Sequence, residues 1–228
     1  MKTIIIGDIH GCIEELKELL TLVKYKEDDK LILLGDYIDR GPSSLKVLEY
    51  LKELKENNSN VYLLLGNHDY RFINENNIMF IDNIAWILTG KYKTLKELGE
   101  NGDEYKKWLK KNTIKYYEDD LFQCAHASIK HEKIKNNSLY TLIYDHFSSK
   151  ANTYDGRLTI VGHTALKEPR YYPGNNGKIE FLKYDIEYDL PSKGILHLDT
   201  GCVYGNKLTA MVIQDNKYVL KYISKKAG

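Results

Sequence analysis

The stretch Gly7-Asp8-Ile9-His10-Gly11 directly follows the apolar run Thr3–Ile6, and this order of residues decides the fold. The same arrangement, a short run of Ile, Leu or Val that ends in glycine and a polar residue, occurs twice more. These runs are Leu31–Leu34 before Gly35-Asp36 and Val61–Leu65 before Gly66-Asn67. Short apolar runs bounded by glycine are typical of strands that are buried on both faces of a sheet.

Helical periodicity follows the first two of these runs. Apolar residues recur at intervals of three and four, and they are Leu16, Leu19, Leu20 and Val23, then Leu45, Leu48, Leu51 and Leu54. Pro42-Ser43-Ser44 supplies a start signal for the second helix. The alternation of strand and helix predicts a parallel α/β core with right-handed crossovers, in which ligands bind at the carboxyl ends of the strands.

The remainder of the chain divides into a helical segment and a second set of strands. From about Asn74 to Asp120, aromatic residues at helical spacing lie among lysines, which predicts a helical insertion. Further apolar runs predict strands, the last two as a hairpin: Leu121–Ala125, Leu158–Val161, Ile195–Leu198, Leu208–Ile213 and Tyr218–Ile223. We therefore predict a single domain over residues 1–228, with the insertion at about 74–120.

Composition narrows the class of protein. Of the 228 residues, 43% are hydrophobic, which is enough for one buried core. Lys and Arg total 33 against 32 Asp and Glu, so no basic field makes nucleic acid the expected partner. No apolar run approaches the roughly 20 residues that span a bilayer, and three distant cysteines argue against a disulfide framework. We expect a cytoplasmic protein without a membrane partner.

Five polar clusters follow strand-like runs and hold the residues that can carry chemistry. Six of their side chains are hard or borderline metal ligands: Asp8, His10, Asp36, Asn67, His126 and His163. Carboxylate, imidazole and amide oxygen together suit Mn, Fe or Zn. Asp36 has two oxygens with which it could bridge two ions, and two metals about 3.5–4 Å apart are a recurrent device for cleaving phosphoesters.

These clusters resemble the signature of the phosphoprotein-phosphatase branch of the metallophosphoesterases. That signature is written GDxHG, GDxxDRG and GNH before Asp or Glu, followed by two isolated histidines. The corresponding residues here are Gly7–Gly11, Gly35–Gly41, Gly66–Asp69, His126 and His163. The branch includes serine/threonine protein phosphatases and symmetrical diadenosine-tetraphosphatases. The resemblance implies an α/β protein with a two-layered β-sheet core flanked by helices, in the order α/β/β/α.

The resemblance also implies a role for each site residue. One metal would be held by Asp8, His10 and Asp36, and the second by Asp36, Asn67, His126 and His163. A hydroxide between the ions would attack phosphorus. Arg40 would clamp phosphate oxygens, with Asn67 as a second phosphate contact. His68 would protonate the leaving oxygen, and Asp39 would orient His68.

We expect an enzyme that hydrolyses a phosphomonoester with two divalent metal ions, Mn by preference and Fe, Zn or Ni otherwise. Its phosphorylated substrate is a protein carrying phosphoserine or phosphothreonine, a small molecule or a dinucleoside polyphosphate. A bis(5'-nucleosyl)-tetraphosphatase is the main rival function, because part of the insertion resembles that of the diadenosine-tetraphosphatases, at Trp86, Gly90, Thr94 and Leu95. A phosphodiesterase or a non-catalytic binding module would also be compatible with a metal-binding phosphate site.

Several positions depart from the pattern of the family. Relatives carry a second phosphate-clamping arginine between the two late histidines, and residues 142–147 contain none. Arg157 and Arg170 are candidates for this contact, and His146 is the nearest polar side chain, although an ordinary helical role is our first interpretation of it. His131 and His197 are interpreted as non-functional. Cys12 and Cys202 lie near the site loops, but neither has a neighbouring base that would favour a thiol nucleophile.

Overall fold

The computed structural model describes residues 1–146 and 153–225, and its first strand shows how the sequence builds two layers. Ile4 and Ile6 belong to one buried cluster and Ile5 belongs to another, and all three are fully buried. Successive side chains of a strand point to opposite faces, so a strand that is covered on both faces needs a continuous apolar run. The run at Thr3–Ile6 meets this requirement.

Two sheets and a set of helices make up the described part of the chain. Its strands are β1 (Thr3–Ile6), β2 (Lys30–Leu33), β3 (Val61–Leu64), β4 (Thr113–Ile114), β5 (Tyr117–Glu118), β6 (Gln123–Cys124), β7 (Thr159–Val161), β8 (Arg170–Tyr172), β9 (Glu180–Phe181), β10 (Glu187–Asp189), β11 (Ile195–His197), β12 (Lys207–Gln214) and β13 (Lys217–Ser224). Its α-helices are α1 (Ile13–Leu22), α2 (Ser44–Asn57), α3 (Asn67–Ile73), α4 (Phe80–Thr89), α5 (Lys91–Leu98), α6 (Gly102–Asn112) and α7 (Leu139–Ile143).

Each sheet has a parallel part, and these parts carry the loops of interest. Within the described residues, the first sheet has the order β10-β13-β12-β1-β2-β3-β4, and the second has the order β5-β6-β7-β11-β8-β9. Strands β1 to β4 are parallel to one another, and β12 runs antiparallel beside β1. In the second sheet, β6, β7 and β11 are parallel.

Three apolar clusters separate the layers. The first lies between the first sheet and its helices and includes Ile4, Ile6, Leu16, Leu48 and Leu51. The second lies between the two sheets and includes Ile5, Ile32, Cys124, Ile160 and Leu196. The third covers the outer face of the second sheet, with residues of α7 such as Leu142. The order helix, sheet, sheet, helix confirms the predicted α/β/β/α fold.

The start of α2 explains how the helical segment is attached to the first sheet. Ser43 caps the helix by accepting a hydrogen bond from the Lys46 N–H. The carboxylate of Glu97 on α5 accepts the N–H groups of Ser44 and Leu45, at 2.9 and 3.2 Å. Because the first N–H groups of a helix have no partner within it, an acidic side chain at this end stabilises the helix. Glu97 thus fixes α5 against α2.

The predicted terminal hairpin is present, with β12 and β13 joined by Asp215-Asn216. Both turn residues have positive φ, at 52° and 60°. A two-residue loop of this type matches the twist of antiparallel strands, and Asp and Asn tolerate it better than most residues.

The structure corrects other expectations about strands. The predicted strand Leu121–Ala125 is reduced to β6, because Oδ1 of Asp119 accepts the N–H groups of Leu121 and Phe122 and holds a turn there. The sequence does not predict β4, β5, β8, β9 or β10, since these strands have only two or three residues each. Such short elements lack an apolar run that could indicate them.

The segment from residue 80 to residue 112 forms α4, α5 and α6, which pack beside α2 and α3. The helical part ends at Asn112, earlier than the predicted limit near Asp120. After it, β4 extends the first sheet and β5 extends the second, so the chain passes directly from one layer to the other. Trp86 on α4 is fully buried.

Among the helices that the structure describes, none is long and apolar enough to cross a membrane.

Candidate metal centre

The predicted ligand residues lie at one edge of the two sheets, because each follows the carboxyl end of a parallel strand. They are Asp8 and His10 after β1, Asp36 after β2, Asn67 after β3, His126 after β6 and His163 after β7. Packing of one sheet on the other brings together side chains that are up to 155 positions apart in the sequence.

Asp36 lies at the centre of this group. Its Oδ2 is 3.4 Å from Nε2 of His10, and its Oδ1 is 3.5 Å from Nε2 of His126. One ligand atom each of Asp36, His126 and His163 lies within 4.8 Å of the other two. The same is true of His10, Asp36 and His68. Asp36 therefore belongs to two triads that could each hold an ion, as a bridging carboxylate would.

Asp8 is placed differently from the other acidic ligand. Within the described residues it belongs to neither triad. Its two carboxylate oxygens accept the backbone N–H of His163 at 3.0 and 3.1 Å, and it lines the same cavity as Asp36. This contact ties the loop after β1 to the loop after β7.

Three acceptor atoms converge beside Asp36. Oδ1 of Asn67 is 3.2 Å from Nε2 of His126 and 3.0 Å from Nδ1 of His163, and these two nitrogens are 3.2 Å apart. With the Asn67 amide turned over, its N–H groups would donate to both histidines and its oxygen would accept from Arg71. A cation in this space would instead be bound by the oxygen, so the convergence of lone pairs fits a metal ion.

Backbone carbonyls fix which ring nitrogen two of the histidines present. Nδ1 of His10 lies 2.8 Å from the oxygen of Ile38, and Nδ1 of His126 lies 2.8 Å from the oxygen of Leu34. In each case Nδ1–H donates to the carbonyl and leaves the lone pair of Nε2 directed at Asp36. This hydrogen bond is the usual orienting contact of a metal-binding histidine.

The predicted pair His68 and Asp39 is also present. Nδ1 of His68 is 2.6 Å from Oδ2 of Asp39, and both side chains are almost fully buried. The other ring nitrogen of His68 is buried and has no hydrogen-bond partner among the described residues. His68 is therefore held by one nitrogen and has the other free for a ligand.

Residues of the helical segment hold Asp39 in turn. Nε1 of Trp86 donates to Oδ2 of Asp39 at 2.8 Å, and the Thr94 hydroxyl donates to Oδ1. Gly90, between them, has φ of 128° and lies against Arg40, where an added Cβ would come within 2.9 Å of the Arg40 nitrogen. The sequence singled out Trp86, Gly90 and Thr94 by resemblance alone, and the structure gives each of them a contact with the site loop.

Arg40 lines a cavity of about 200 Å³ together with five of the ligand candidates, Asp8, His10, Asp36, Asn67 and His163. Its guanidinium lies beside Nε2 of His10 and 5.6 Å from the ring centre of Tyr204. A planar guanidinium at this place can bind two oxygens of a phosphate.

The structure distinguishes the three candidates for the second phosphate contact, Arg157, Arg170 and His146. Arg170 is on β8 with its guanidinium over the Phe181 ring, and Arg157 lines a different cavity. His146 lines the central cavity, and its ring centre is 5.0 Å from that of His163. Phe147, the last residue of the predicted arginine-free segment, lies outside the described residues.

Two further histidines were predicted to have no role in the site. His131 is exposed, and His197 is fully buried on β11. Neither lines the central cavity in the part of the chain that the structure describes.

Asp69 is a site residue that the motifs alone did not assign. Its carboxylate is fully buried and accepts the N–H groups of Asp36 at 2.8 Å, Tyr37 at 3.1 Å and Gly66 at 3.1 Å. These bonds join the loop after β2 to the loop after β3. The sequence does mark this position, since Asp69 ends the third polar cluster. Its hydrogen bonds, however, depend on how the loops after β2 and β3 pack together.

Five residues of these loops have a left-handed backbone conformation. His10, Asp36, Asp39, Arg40 and His163 all have positive φ, between 43° and 69°. Such values are uncommon for residues other than glycine, and they cluster at functional sites, where the surrounding structure enforces them.

Burial favours the neutral form of three histidines among the ligand candidates. It lowers the pKa of His10 and of His126, and it lowers the pKa of His163 to about 2. A neutral imidazole has a lone pair, which a metal ion requires. These three side chains are therefore in the protonation state of ligands.

Burial has the opposite effect on the carboxyl groups of Asp8 and Asp199, whose pKa it raises. Burial raises the pKa of Asp8, as do the charges of Asp199 and Asp36, and burial raises the pKa of Asp199 to about 6. Divalent cations would neutralise this crowded set of acids, and the mixture of carboxylate, imidazole and amide fits them.

The two-layered fold and the ligand set at its edge define a class of metal-dependent hydrolases. A sequence model of the calcineurin-like phosphoesterases matches residues 1–190, and the chain belongs to this family. The protein is therefore an enzyme, a metallophosphoesterase, as the resemblance of its motifs predicted. The family implies divalent metal ions, and the grouped His and Asp side chains fit them.

Bacterial bis(5'-nucleosyl)-tetraphosphatases are among the proteins of similar sequence. The chain is 30% identical to the asymmetrical bis(5'-nucleosyl)-tetraphosphatase PrpE of Oceanobacillus iheyensis, over 96% of this chain and 91% of that protein. It is 29% identical to the symmetrical bis(5'-nucleosyl)-tetraphosphatase of Photorhabdus laumondii, over 96% of each.

Solved structures share the fold. A metallophosphoesterase from Sphaerobacter thermophilus superposes with a TM-score of 0.71 at 19% identity, over 99% of this chain and 89% of that one. A putative diadenosine tetraphosphatase superposes with a TM-score of 0.64 at 21% identity, over 100% of this chain and 95% of that one.

Proposed function

We propose that this metallophosphoesterase hydrolyses a phosphorylated small molecule of the dinucleoside polyphosphate class. The main support is that relatives named bis(5'-nucleosyl)-tetraphosphatases match the chain over 96% of its length. The contacts of Trp86, Gly90 and Thr94 with the loop of Asp39 and Arg40 add to it, because these were the residues that resembled the diadenosine-tetraphosphatases. This favours a tetraphosphatase over a protein phosphatase.

The ligand assignment is part of this proposal. Asp8, His10 and Asp36 hold one divalent ion, and Asp36, Asn67, His126 and His163 hold the other. Support comes from the distances between Asp36 and two histidines and from the convergence of acceptor atoms at Asn67. Mn is the metal we expect. Bound ions would supply Lewis-acid activation of phosphate oxygens and of water.

The side chains of the protein supply the remaining chemistry. Arg40 binds phosphate oxygens at the mouth of the ligand set and compensates their charge, with Asn67 as the second contact. His68 donates a proton from Nε2 to the leaving oxygen, and Asp39 orients its ring through Nδ1. Since Trp86 and Thr94 saturate Asp39 with hydrogen bonds, the carboxylate has little freedom to rotate. The helical segment thus positions the proposed acid, His68, indirectly through Asp39.

The site has room for more than one phosphate. His146 lines both the central cavity and a larger one of about 610 Å³. Lys130 and Lys193 line the larger cavity together with the carboxylates of Glu132, Asp145 and Asp155, and Lys130 is paired with Asp145. The size of this cavity, rather than its charge, suits the second half of a dinucleotide. In this proposal the phosphoryl group that reacts lies at the metal ligands, and one nucleoside half lies beyond His146.

Domain organisation and location complete the proposal. The chain is a single metallophosphoesterase domain with a helical insertion. Its cysteines Cys12, Cys124 and Cys202 are free and buried, which suits a reducing compartment such as the cytoplasm.

A substrate panel tests the proposed function. The protein, freed of metal and then loaded with Mn²⁺, is given diadenosine tetraphosphate, a phosphoserine peptide, p-nitrophenyl phosphate and bis-p-nitrophenyl phosphate. We expect the dinucleotide to be the best substrate. Two ADP molecules would identify symmetrical cleavage, and ATP with AMP would identify asymmetrical cleavage. Faster release of orthophosphate from the peptide, without cleavage of the dinucleotide, would contradict the proposal.

A further inference from the structure

A second cluster of metal-binding groups lies outside the ligand set described above. It consists of Cys12, which precedes α1, Glu15 in the first turn of α1, and Cys202, which follows Gly201. The three residues are 0, 3 and 1% exposed. One ligand atom of each lies within 4.8 Å of the other two. The proposed catalytic mechanism uses none of them.

Glu15 is the polar member of this cluster, and half of its carboxylate is satisfied. Its Oε1 is paired with Nζ of Lys225 at 3.0 Å. Its Oε2 is buried and has no hydrogen-bond partner among the described residues. Buried polar atoms are nearly always paired, and one that is not calls for a ligand that the structure does not contain. Here the unpaired oxygen belongs to a group that also contains two thiols.

The cluster can bind one divalent cation without a change in its net charge. With no cation bound and both thiols protonated, the charges of the Glu15 carboxylate and the Lys225 ammonium cancel. A divalent cation that binds both sulfurs displaces one proton from each thiol. Two S–H bonds break, two metal–sulfur bonds form, two protons leave to solvent, and the net charge of the buried cluster stays at zero. Glu15 Oε2 then gains the partner that it lacks.

The ligand types select the metal. Two thiolates and a carboxylate are typical of Zn²⁺ and of softer ions such as Cd²⁺, with metal–sulfur bonds of about 2.3 Å for zinc. The central ligand set contains only nitrogen and oxygen atoms, which suit harder ions. The two sites thus differ in the chemistry of their donors.

From these observations we propose that Cys12, Glu15 and Cys202 form a separate binding site for one thiophilic divalent cation, Zn²⁺ or an ion of similar softness. Cys12 lies two positions after His10, and Cys202 lines the central cavity beside Asp199. A cation at this site cross-links the loop after β1 to the loop after β11. The availability of a thiophilic metal therefore affects the geometry of the catalytic loops.

Cobalt provides a probe that reads the sulfur ligands directly. The metal-free protein is kept reduced and titrated with Co²⁺ under anaerobic conditions, and the near-ultraviolet absorption is recorded. Thiolate bound to Co²⁺ gives a charge-transfer band, which nitrogen and oxygen ligands do not give. We expect this band in the wild type, saturating at one thiolate-bound cobalt per chain, and we expect Zn²⁺ to abolish it by displacing cobalt.

Variants assign the band to the cluster. Cys12→Ser and Cys202→Ser should each lose most of the band, and Glu15→Gln should keep it with about tenfold weaker binding of cobalt. Cys124→Ser is the matched control, because Cys124 is equally buried but lies between the sheets. It should leave the band unchanged. Circular dichroism confirms that each variant is folded, and the Glu15 variant still decides the question if a cysteine variant does not fold.

Two results would overturn the site. One is the absence of the band from the reduced wild type. The other is a band that survives in Cys202→Ser or disappears equally in Cys124→Ser.

Discussion

Nε1 of Trp86 donates a hydrogen bond to Oδ2 of Asp39 at 2.8 Å, although the two residues are 47 positions apart. The same carboxylate oxygen lies 2.6 Å from Nδ1 of His68. Trp86 belongs to α4 in the helical segment, whereas Asp39 and His68 belong to the loops of the first sheet. An element outside the sheets thus sets the position of the proposed proton donor.

Trp86→Phe should lower kcat on substrates with poor leaving groups by about tenfold, because loss of one orienting hydrogen bond leaves Asp39 freer to rotate. KM should change little, since Trp86 is not in the lining of the central cavity. Steady-state kinetics on a substrate with a poor leaving group and, separately, on an activated aryl phosphate measure kcat and KM for each variant. Trp108→Phe is the matched control, because Trp108 is the other of the two tryptophans in the chain and packs, partly buried, against the first apolar cluster. Equal losses in both variants would contradict a positioning role.

His68→Asn should reduce turnover by about 10²–10⁴-fold on substrates whose leaving oxygen needs a proton. The loss should be much smaller on p-nitrophenyl phosphate, because its leaving group departs as an anion. The ratio of kcat for an alkyl phosphate to kcat for the aryl phosphate measures the difference. If both substrates lose activity by the same factor, His68 does not act as an acid.

Removal of metal should destabilise the protein as well as inactivate it. Asp8, Asp36 and Asp199 crowd together in a buried site, and divalent ions neutralise them. A ligand present at a hundred times its Kd stabilises the folded state by about 2.7 kcal/mol, so Mn²⁺ should raise Tm and a chelator should reverse the rise. Differential scanning fluorimetry measures both shifts.

Asp36→Asn provides the test of the shared ligand. Since Asp36 belongs to both proposed ligand sets, this variant should lose most of the Mn²⁺-dependent rise in Tm. A full rise in the variant would show that the ions bind elsewhere.

Gly66→Ala should impair metal binding without a change in any ligand. A Cβ at position 66 would lie 2.2 Å from both the nitrogen and Oδ1 of Asp36, so the backbone would have to move. We expect weaker Mn²⁺ affinity by calorimetry and at least a tenfold loss of activity, about 1.4 kcal/mol in the transition state. Gly102→Ala is the control, because no atom lies within 4 Å of its added Cβ. This control should be neutral or slightly stabilising.

Asp119→Asn should destabilise the protein in a manner that depends on pH. Asp119 pairs with Lys30 at 2.9 Å, and although burial opposes it, the hydrogen bonds from Lys30 and the Leu121 N–H hold the Asp119 pKa below its ordinary value. A pKa that is lower in the folded state stabilises the fold at pH values above the unfolded pKa of about 3.9, and this contribution is lost as the pH falls through the folded pKa.

Urea unfolding at pH 7 should therefore show a loss of about 0.5–1 kcal/mol in the Asp119→Asn variant, a size that allows for partial exposure of the pair. At about pH 3 and below, the difference from the wild type should shrink. Asp120→Asn, at the exposed neighbouring position, should show a smaller effect at pH 7. A difference that is constant over the whole pH range would contradict the ionic explanation.

Much of the fold could be predicted because its signals are local. The buried strands β1, β2 and β3 have continuous apolar runs, and each ends in glycine and a polar ligand. The strands β8, β9 and β10 could not be predicted, since two or three residues carry no periodicity and pairing with distant strands decides their conformation. The length of β6 could not be predicted either, because the turn at Asp119 depends on hydrogen bonds that an apolar run does not indicate.

The site could be predicted as a set of residue types but not as a set of contacts. The six ligand candidates were identified from motifs, and the structure places them at one edge of the sheets. The role of Asp69 in holding the loop of Asp36 depends on three backbone hydrogen bonds across two loops, which no spacing in the sequence reveals. The place of His146 at the central cavity, rather than Arg157 or Arg170, is likewise a property of the folded chain.

The antiparallel pairing of β1 with β12 has a consequence for biosynthesis. All six ligand candidates precede residue 164, so a ribosome has delivered the whole ligand set before it begins β12 at Lys207. Until β12 emerges, β1 remains an open sheet edge beside the loop with Asp8 and His10. A nascent chain that stops before β12 would hold every ligand candidate and still lack the strand beside the first two, so we expect competence for catalysis only after β12 has been synthesised.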